Sequence, residues 1–232
     1  VGGTGVQTPK GGFPVKVEKI FTQADRDAIA AAVRAAEERT GGEIVPVVVE
    51  ASDEYEVATW RAATLGALIA SLVAAVVYGA ADLWSPFIVA WIALPATLGV
   101  TAAALLVNLW PAARRAVVGR EILERRTIRR AHQAFLEEEV FQTRDRTGIL
   151  LFVSLFEHRV VVLGDSGINA RVAQEEWQGI VDGMVAGIRQ GTPGQALVEA
   201  IRRCGELLER RGVALRSDDT DELANEVRLA ER

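Results

Sequence analysis

The 232-residue sequence has one cysteine, Cys204, and two histidines, His132 and His158. An internal disulfide is excluded, and so are histidine-rich metal sites. Cys204 falls on an amphipathic helical stretch and reads as core packing. His132 lies on an arginine-rich helical stretch, and His158 lies at a turn, where it reads as solvated. A glycine loop with its phosphate-binding lysine is missing: Gly164-Asp165-Ser166-Gly167 has neither the spacing nor the Lys, and Ser166 has no evident base. The net charge is −5, which argues against nucleic acid as a partner, because phosphate contacts call for a basic balance. There is no internal repeat. The first twenty residues hold no apolar core of the length a signal peptide needs, so none is expected.

What the chain has instead is apolar length. Half of its residues are hydrophobic. They concentrate in two runs, residues 62–80 and 86–110, with Asp82 the only charge between Arg61 and Arg114. A helix needs about 20 mostly apolar residues to cross a bilayer; the first run barely reaches that and the second exceeds it. A soluble helix shows a polar face, and neither run has one. The intervening turn is too short to be a domain. The pattern predicts a transmembrane helical hairpin over 62–110 that enters and leaves on one side. Gly66 and Ala70, four apart, predict a helix-contact face. Trp84 and Trp110, near opposite ends of the second span, are the expected membrane anchors. Pro95 should kink that span.

Basic residues set the orientation. Arg61 precedes the first run, Arg114, Arg115 and Arg120 follow the second, and the turn has none. Excess Lys/Arg marks the cytoplasmic side. The sequence therefore predicts a multi-pass protein of the inner (cell) membrane, with both soluble portions cytoplasmic. Arg61, Arg114, Arg115 and Arg120 are expected to face anionic lipid.

The remaining chain alternates helix and strand. Residues 1–20 are glycine-rich and read as a flexible arm. Thr22 caps a helix that ends at Gly41-Gly42. Residues 43–50 read as a strand, at a sheet edge or pairing late because Pro46 lacks a donor. A long helix is expected over 112–140. Residues 147–155 and 159–163 read as an antiparallel pair turning at Glu157-His158. One helix is expected from Gly164–Gly167 to about Gln190. Another starts at Thr192-Pro193, with proline at the first helical position. Residues 213–232 read as an acidic tail. Residues 21–61 and 111–212 together predict one cytoplasmic α/β domain, a small mixed sheet flanked by helices, with the hairpin inserted after the first strand.

A turn centred on Glu157-His158 brings Asp145 toward Asp165 at one end of the sheet. Two carboxylates there suit Ca²⁺ or Mg²⁺. The alternative is that Asp165 or Ser166 caps the next helix while Asp145 pairs with Arg144 or Arg146.

Four segments together resemble the TPM domain family: Glu38-Arg39-Thr40-Gly41-Gly42-Glu43-Ile44, Arg146-Thr147-Gly148-Ile149-Leu150-Leu151, Arg159-Val160-Val161-Val162-Leu163-Gly164-Asp165, and Trp177 with Ile180-Val181. The resemblance covers roughly residues 18–50 and 112–212. It implies a small α/β domain tethered to a membrane, often beside a larger complex. Relatives include thylakoid proteins linked to photosystem repair, some described as acid phosphatases, and membrane accessory subunits. In that family, acidic residues at this sheet end are associated with metal and phosphatase activity. The usual member has a terminal anchor, so the internal hairpin is a departure.

The expected function is a non-catalytic accessory subunit of a larger integral membrane complex, photosynthetic or respiratory, with membrane lipids as further partners and no cofactor. The alternative is a divalent-metal phosphatase built on Asp145 and Asp165. Hydrolysis needs a nucleophile or an activated water held by more ligands than the sequence offers, which favours the first.

Overall fold

The computed structural model describes residues 17–81, 87–215 and 222–230. The expected anchor Trp84 and most of the glycine-rich arm lie outside these residues. The chain divides into two compact units. One takes the chain up to Ala51 and from Ala131 onward; the other is Ser52–Arg130. Both boundaries lie outside the apolar runs.

In chain order the elements begin with α1 (Val17–Ile20), α2 (Gln23–Glu37), β1 (Glu43–Val49), α3 (Glu56–Ala80), α4 (Ile88–Leu109), α5 (Pro111–Val118) and α6 (Arg120–Glu137). After them come β2 (Gly148–Ser154), β3 (Arg159–Gly164), α7 (Ser166–Asn169), a 3-10 turn (Gln174–Trp177), α8 (Gln178–Arg189), α9 (Pro193–Arg210) and β4 (Arg228–Ala230).

The first unit is a mixed four-stranded sheet in the order β3-β2-β1-β4. β1 runs parallel to β2 and β4, and β2 antiparallel to β3. β1 is thus interior, although Pro46 lacks an N–H. Alternation resolves this. The Glu43 N–H points to β2, donating to the Thr147 carbonyl, and the Glu50 N–H points the other way, to Ala230. Pro46 shares the parity of Glu50, and pairing with β4 begins only at Val47. The missing donor falls just outside the ladder, so the strand pairs late on that side.

Both faces of β1 and β2 are buried, which accounts for their near-continuous apolar sequences. Ile44, Val48, Ile149, Leu151 and Val153 share a core with Ile29 and Val33 of α2 and Leu197, Ile201, Cys204 and Leu208 of α9. The alternate residues Val45, Val47, Val49, Leu150 and Phe152 pack with Ala131, Ala134 and Val140. The start of α2 is fixed by a reciprocal cap. Thr22 Oγ1 accepts from the Asp25 N–H at 3.2 Å, and Asp25 Oδ2 accepts from the Thr22 N–H at 2.9 Å.

Four local expectations change. The arm stops short of residue 20: Val17–Ile20 forms a helical turn, and Val17 and Phe21 enter the core. The long helix after the apolar runs breaks at Gly119, whose φ of 86° no other residue adopts cheaply. The helix expected after β3 is three pieces, because the chain turns to bury Val172 and Trp177. The acidic tail returns to the sheet as β4.

In the second unit α3 and α4 pack antiparallel. Near one end, Thr59 Oγ1 lies 3.3 Å from Asn108 Oδ1. At the middle Gly66 meets Gly99. Toward the other end the Tyr78 and Trp91 rings sit 6.2 Å apart. Both helices are long and apolar enough to cross a membrane. The 22 residues of α4 span about 33 Å at 1.5 Å per residue, against about 30 Å of hydrocarbon. The helix continues through Pro95.

Candidate functional site

The Asp165 end of the sheet is assembled from the start of β2, the end of β3 and the segment before β2. β2 and β3 pair from Ile149↔Gly164 to Ser154↔Arg159, leaving residues 155–158 as the loop. The turn centre is therefore one residue earlier than Glu157-His158. His158 takes the left-handed conformation there, with φ 51°, and is half-buried rather than fully solvated. The Asp165 N–H donates to the Gly148 carbonyl at 2.9 Å, just past the strand pair.

The Asp165 side chain is buried and ties the start of α7 to the segment before β2. Oδ1 accepts from the Ser166 N–H at 2.6 Å and caps α7. Oδ2 lies 3.1 Å from Arg146 Nε. Arg146 is itself fixed, its Nη1 donating to the Phe141 carbonyl at 2.9 Å and its guanidinium lying 5.9 Å from the Phe141 ring centroid. The Gly167 N–H donates to the Arg146 carbonyl at 2.9 Å. A Cβ on Gly167 would overlap the carbonyls of Asp145 and Arg146. The Asp145 segment is thus drawn against α7, but the Asp145 side chain is exposed. Arg146, one of the two arginines expected to pair with Asp145, forms an ion pair with Asp165.

Glu43 and Glu222 join this end, and sequence reading missed both. The Glu222 N–H lies 3.4 Å from Glu43 Oε1, and Glu222 Oε2 accepts from the Arg144 N–H at 2.9 Å. Nothing local in the sequence signals contacts made across such separations. Among the described residues, no three His, Cys, Asp or Glu side chains are grouped to hold a metal ion. Chemically, the arrangement fastens strand ends and caps a helix.

A second cluster lies at the open end of the α3–α4 hairpin. Trp110 is 63% exposed, and Trp60, which sequence reading passed over, is 74% exposed. Its position beside Arg61 was the available signal. Arg61 and Arg120 are exposed. Arg115 is half-buried. Arg114 Nη2 donates to the Glu54 carbonyl. Gly66 faces Gly99 and Ala103, and Gly99 faces Ala70, so the small-residue face is used inside the hairpin.

Residues 114–207 match the family model described as the TPM domain. Over these residues the chain is similar to the TPM domain. The match begins within α5 and ends within α9, leaving β1, β4 and the hairpin outside it. The fold has a solved counterpart in the NMR structure of the BA42 protein from the psychrophilic bacterium Bizionia argentinensis. It is 21% identical, covers 92% of this chain and 98% of its own, and superposes with a TM-score of 0.56. At that identity the likeness is one of fold. No curated protein matches the chain in sequence.

Proposed function

We propose that this TPM-domain chain is anchored in the cell membrane by its hairpin and serves as a non-catalytic accessory subunit of a larger membrane complex. The observation that carries the reading is the outer surface of α3 and α4. Leu68 is 62% exposed and Leu72 66%, and Ile69, Val76, Leu94, Leu98 and Leu109 are exposed with them. Leaving a large aliphatic side chain in water forgoes about 1.5–3 kcal/mol relative to burying it, and lipid removes that cost. Arg61, Arg115 and Arg120 flank the open end of the hairpin, and excess basic residues favour a cytoplasmic placement of that end. The accessory role is supported by Asp165, whose carboxylate is engaged by Ser166 and Arg146. The TPM resemblance directs the search for a partner to photosynthetic and respiratory assemblies.

The test is gentle detergent extraction from native membranes. A companion complex should co-purify in fixed stoichiometry; migration of the chain alone under every mild condition overturns the accessory role. Orientation is read by thiol labelling of Glu38→Cys, Glu209→Cys and Gly79→Cys. The first two should label from the cytoplasmic side and the third from the opposite side.

A further inference from the structure

We propose that the open end of the hairpin holds one anionic phospholipid, with its phosphate on Arg61 and an acyl chain in the groove where α5 packs on α3. The proposal rests on the membrane reading above and adds a specific site to it. The groove is shallow and open to one side, about 740 Å³ in volume, and is lined by Trp60, Arg61, Thr64, Leu65, Ala116 and Val117. Four of these walls are apolar. Thr64 Oγ1 donates to the Trp60 carbonyl at 2.9 Å, so its single proton is spent. Arg61 is then the one cation lining the groove.

Two neighbouring arginines are engaged within the unit. Arg126 pairs with Asp53 at 2.9 Å, and Arg114 binds the Glu54 carbonyl. Arg61 is exposed and makes no ion pair or hydrogen bond among the described residues. A guanidinium presents a planar fork of donors that matches phosphate oxygens. A free phosphate would satisfy that fork and leave the greasy walls bare; a neutral lipid would do the reverse. A phosphodiester joined to hydrocarbon satisfies both. Trp60 beside it suits the headgroup level, where an amphipathic ring has one wet edge.

Full-length protein in mild detergent is incubated with equal amounts of phosphatidylglycerol and phosphatidylcholine, and retained lipid is counted by native mass spectrometry. The wild type should keep one phosphatidylglycerol with about fivefold preference, the worth of one basic side chain at an anionic surface. Arg61→Gln should bring the two lipids to parity, and Val117→Trp, which fills the groove, should lose both. Arg125→Gln, on the exposed face of α6, should behave as wild type. Millimolar inorganic phosphate should not displace the lipid. Equal retention of the two lipids by wild type, or a preference that survives Arg61→Gln, overturns the site. Flotation with phosphatidylcholine liposomes separates the two levels. Protein that floats without lipid preference loses the site and keeps its anchor. Protein that never floats loses both.

Discussion

Gly66 and Gly99 face each other where α3 and α4 cross, and a Cβ on either would run into the other's carbonyl oxygen. The two backbones approach as closely as two helices can because neither carries a side chain there. Gly66→Leu should therefore push the helices apart and cost about 1–3 kcal/mol, the usual price of overpacking. Gly79→Ala is the matched control: nothing lies within 4 Å of its would-be Cβ, so the change should be neutral or stabilising by up to about 1 kcal/mol. Thermal midpoints in detergent micelles compare the two.

The elements legible in the sequence are those governed by local rules. The reciprocal cap at Thr22 and Asp25, the continuous apolar strands β1 and β2, and Thr192-Pro193 opening α9 each state their structure within a few residues. Pro46 is instructive, since its missing donor was legible but the number of neighbours β1 would have was not. β4 could not be read: three residues, Arg228–Ala230, join the sheet only because Val47–Val49 offers a free edge. At the candidate site, the meeting of Asp165 with the residue 145–146 segment followed from strand pairing. The choice of Arg146 as its partner did not, because nothing local in the sequence separates Arg146 from Arg144. Gly119 was a visible breaker inside an apparently continuous helix.

Asp165→Ala removes the cap on the Ser166 N–H and the partner of Arg146. The expected loss is about 1–3 kcal/mol, from a cap worth about 1 and a partly buried charge pair. Asp165→Asn keeps a cap acceptor and should lose less. Urea midpoints in metal-free buffer give both values. Calorimetric titration of Ca²⁺ and Mg²⁺ on the same proteins tests the cation expectation: heat seen with wild type and lost in Asp165→Ala establishes a site that uses Asp165, and equal negligible heats remove it.

Cys204, on the buried face of α9, lies in the core that this helix shares with α2 and the sheet, and burial pushes its thiol up to about 12. The thiolate is the reactive form, so at mildly alkaline pH the folded protein should resist iodoacetamide. Mass spectrometry should show an unmodified chain under native conditions and one alkylation in urea. Native-state alkylation at a comparable rate would mean that this core opens readily. Cys204→Ala should cost less than Cys204→Ser, which buries a hydroxyl with no partner supplied.

Glu199 sits on α9 between two arginines. Arg202 grips both carboxylate oxygens, Nε on Oε2 at 2.8 Å and Nη2 on Oε1 at 2.7 Å, and Arg203 Nε reaches Oε1 at 2.7 Å. These hydrogen bonds, Arg202 first and Arg203 next, hold the carboxyl at about 2 instead of 4.5. A carboxyl whose folded value lies below its unfolded value stabilises the fold fully above the unfolded one, and that contribution fades as pH falls toward the folded one. The side chain is 44% exposed, so solvent screening keeps the contribution below about 1 kcal/mol. Glu199→Gln should accordingly be slightly less stable than wild type at neutral pH and low salt. The gap should narrow as pH falls from 4.5 and close near 2, and molar salt should shrink it at neutral pH. Paired urea titrations across that window check the sign: a gap that widens on acidification would mean that the arginines do not hold the carboxylate in the folded state.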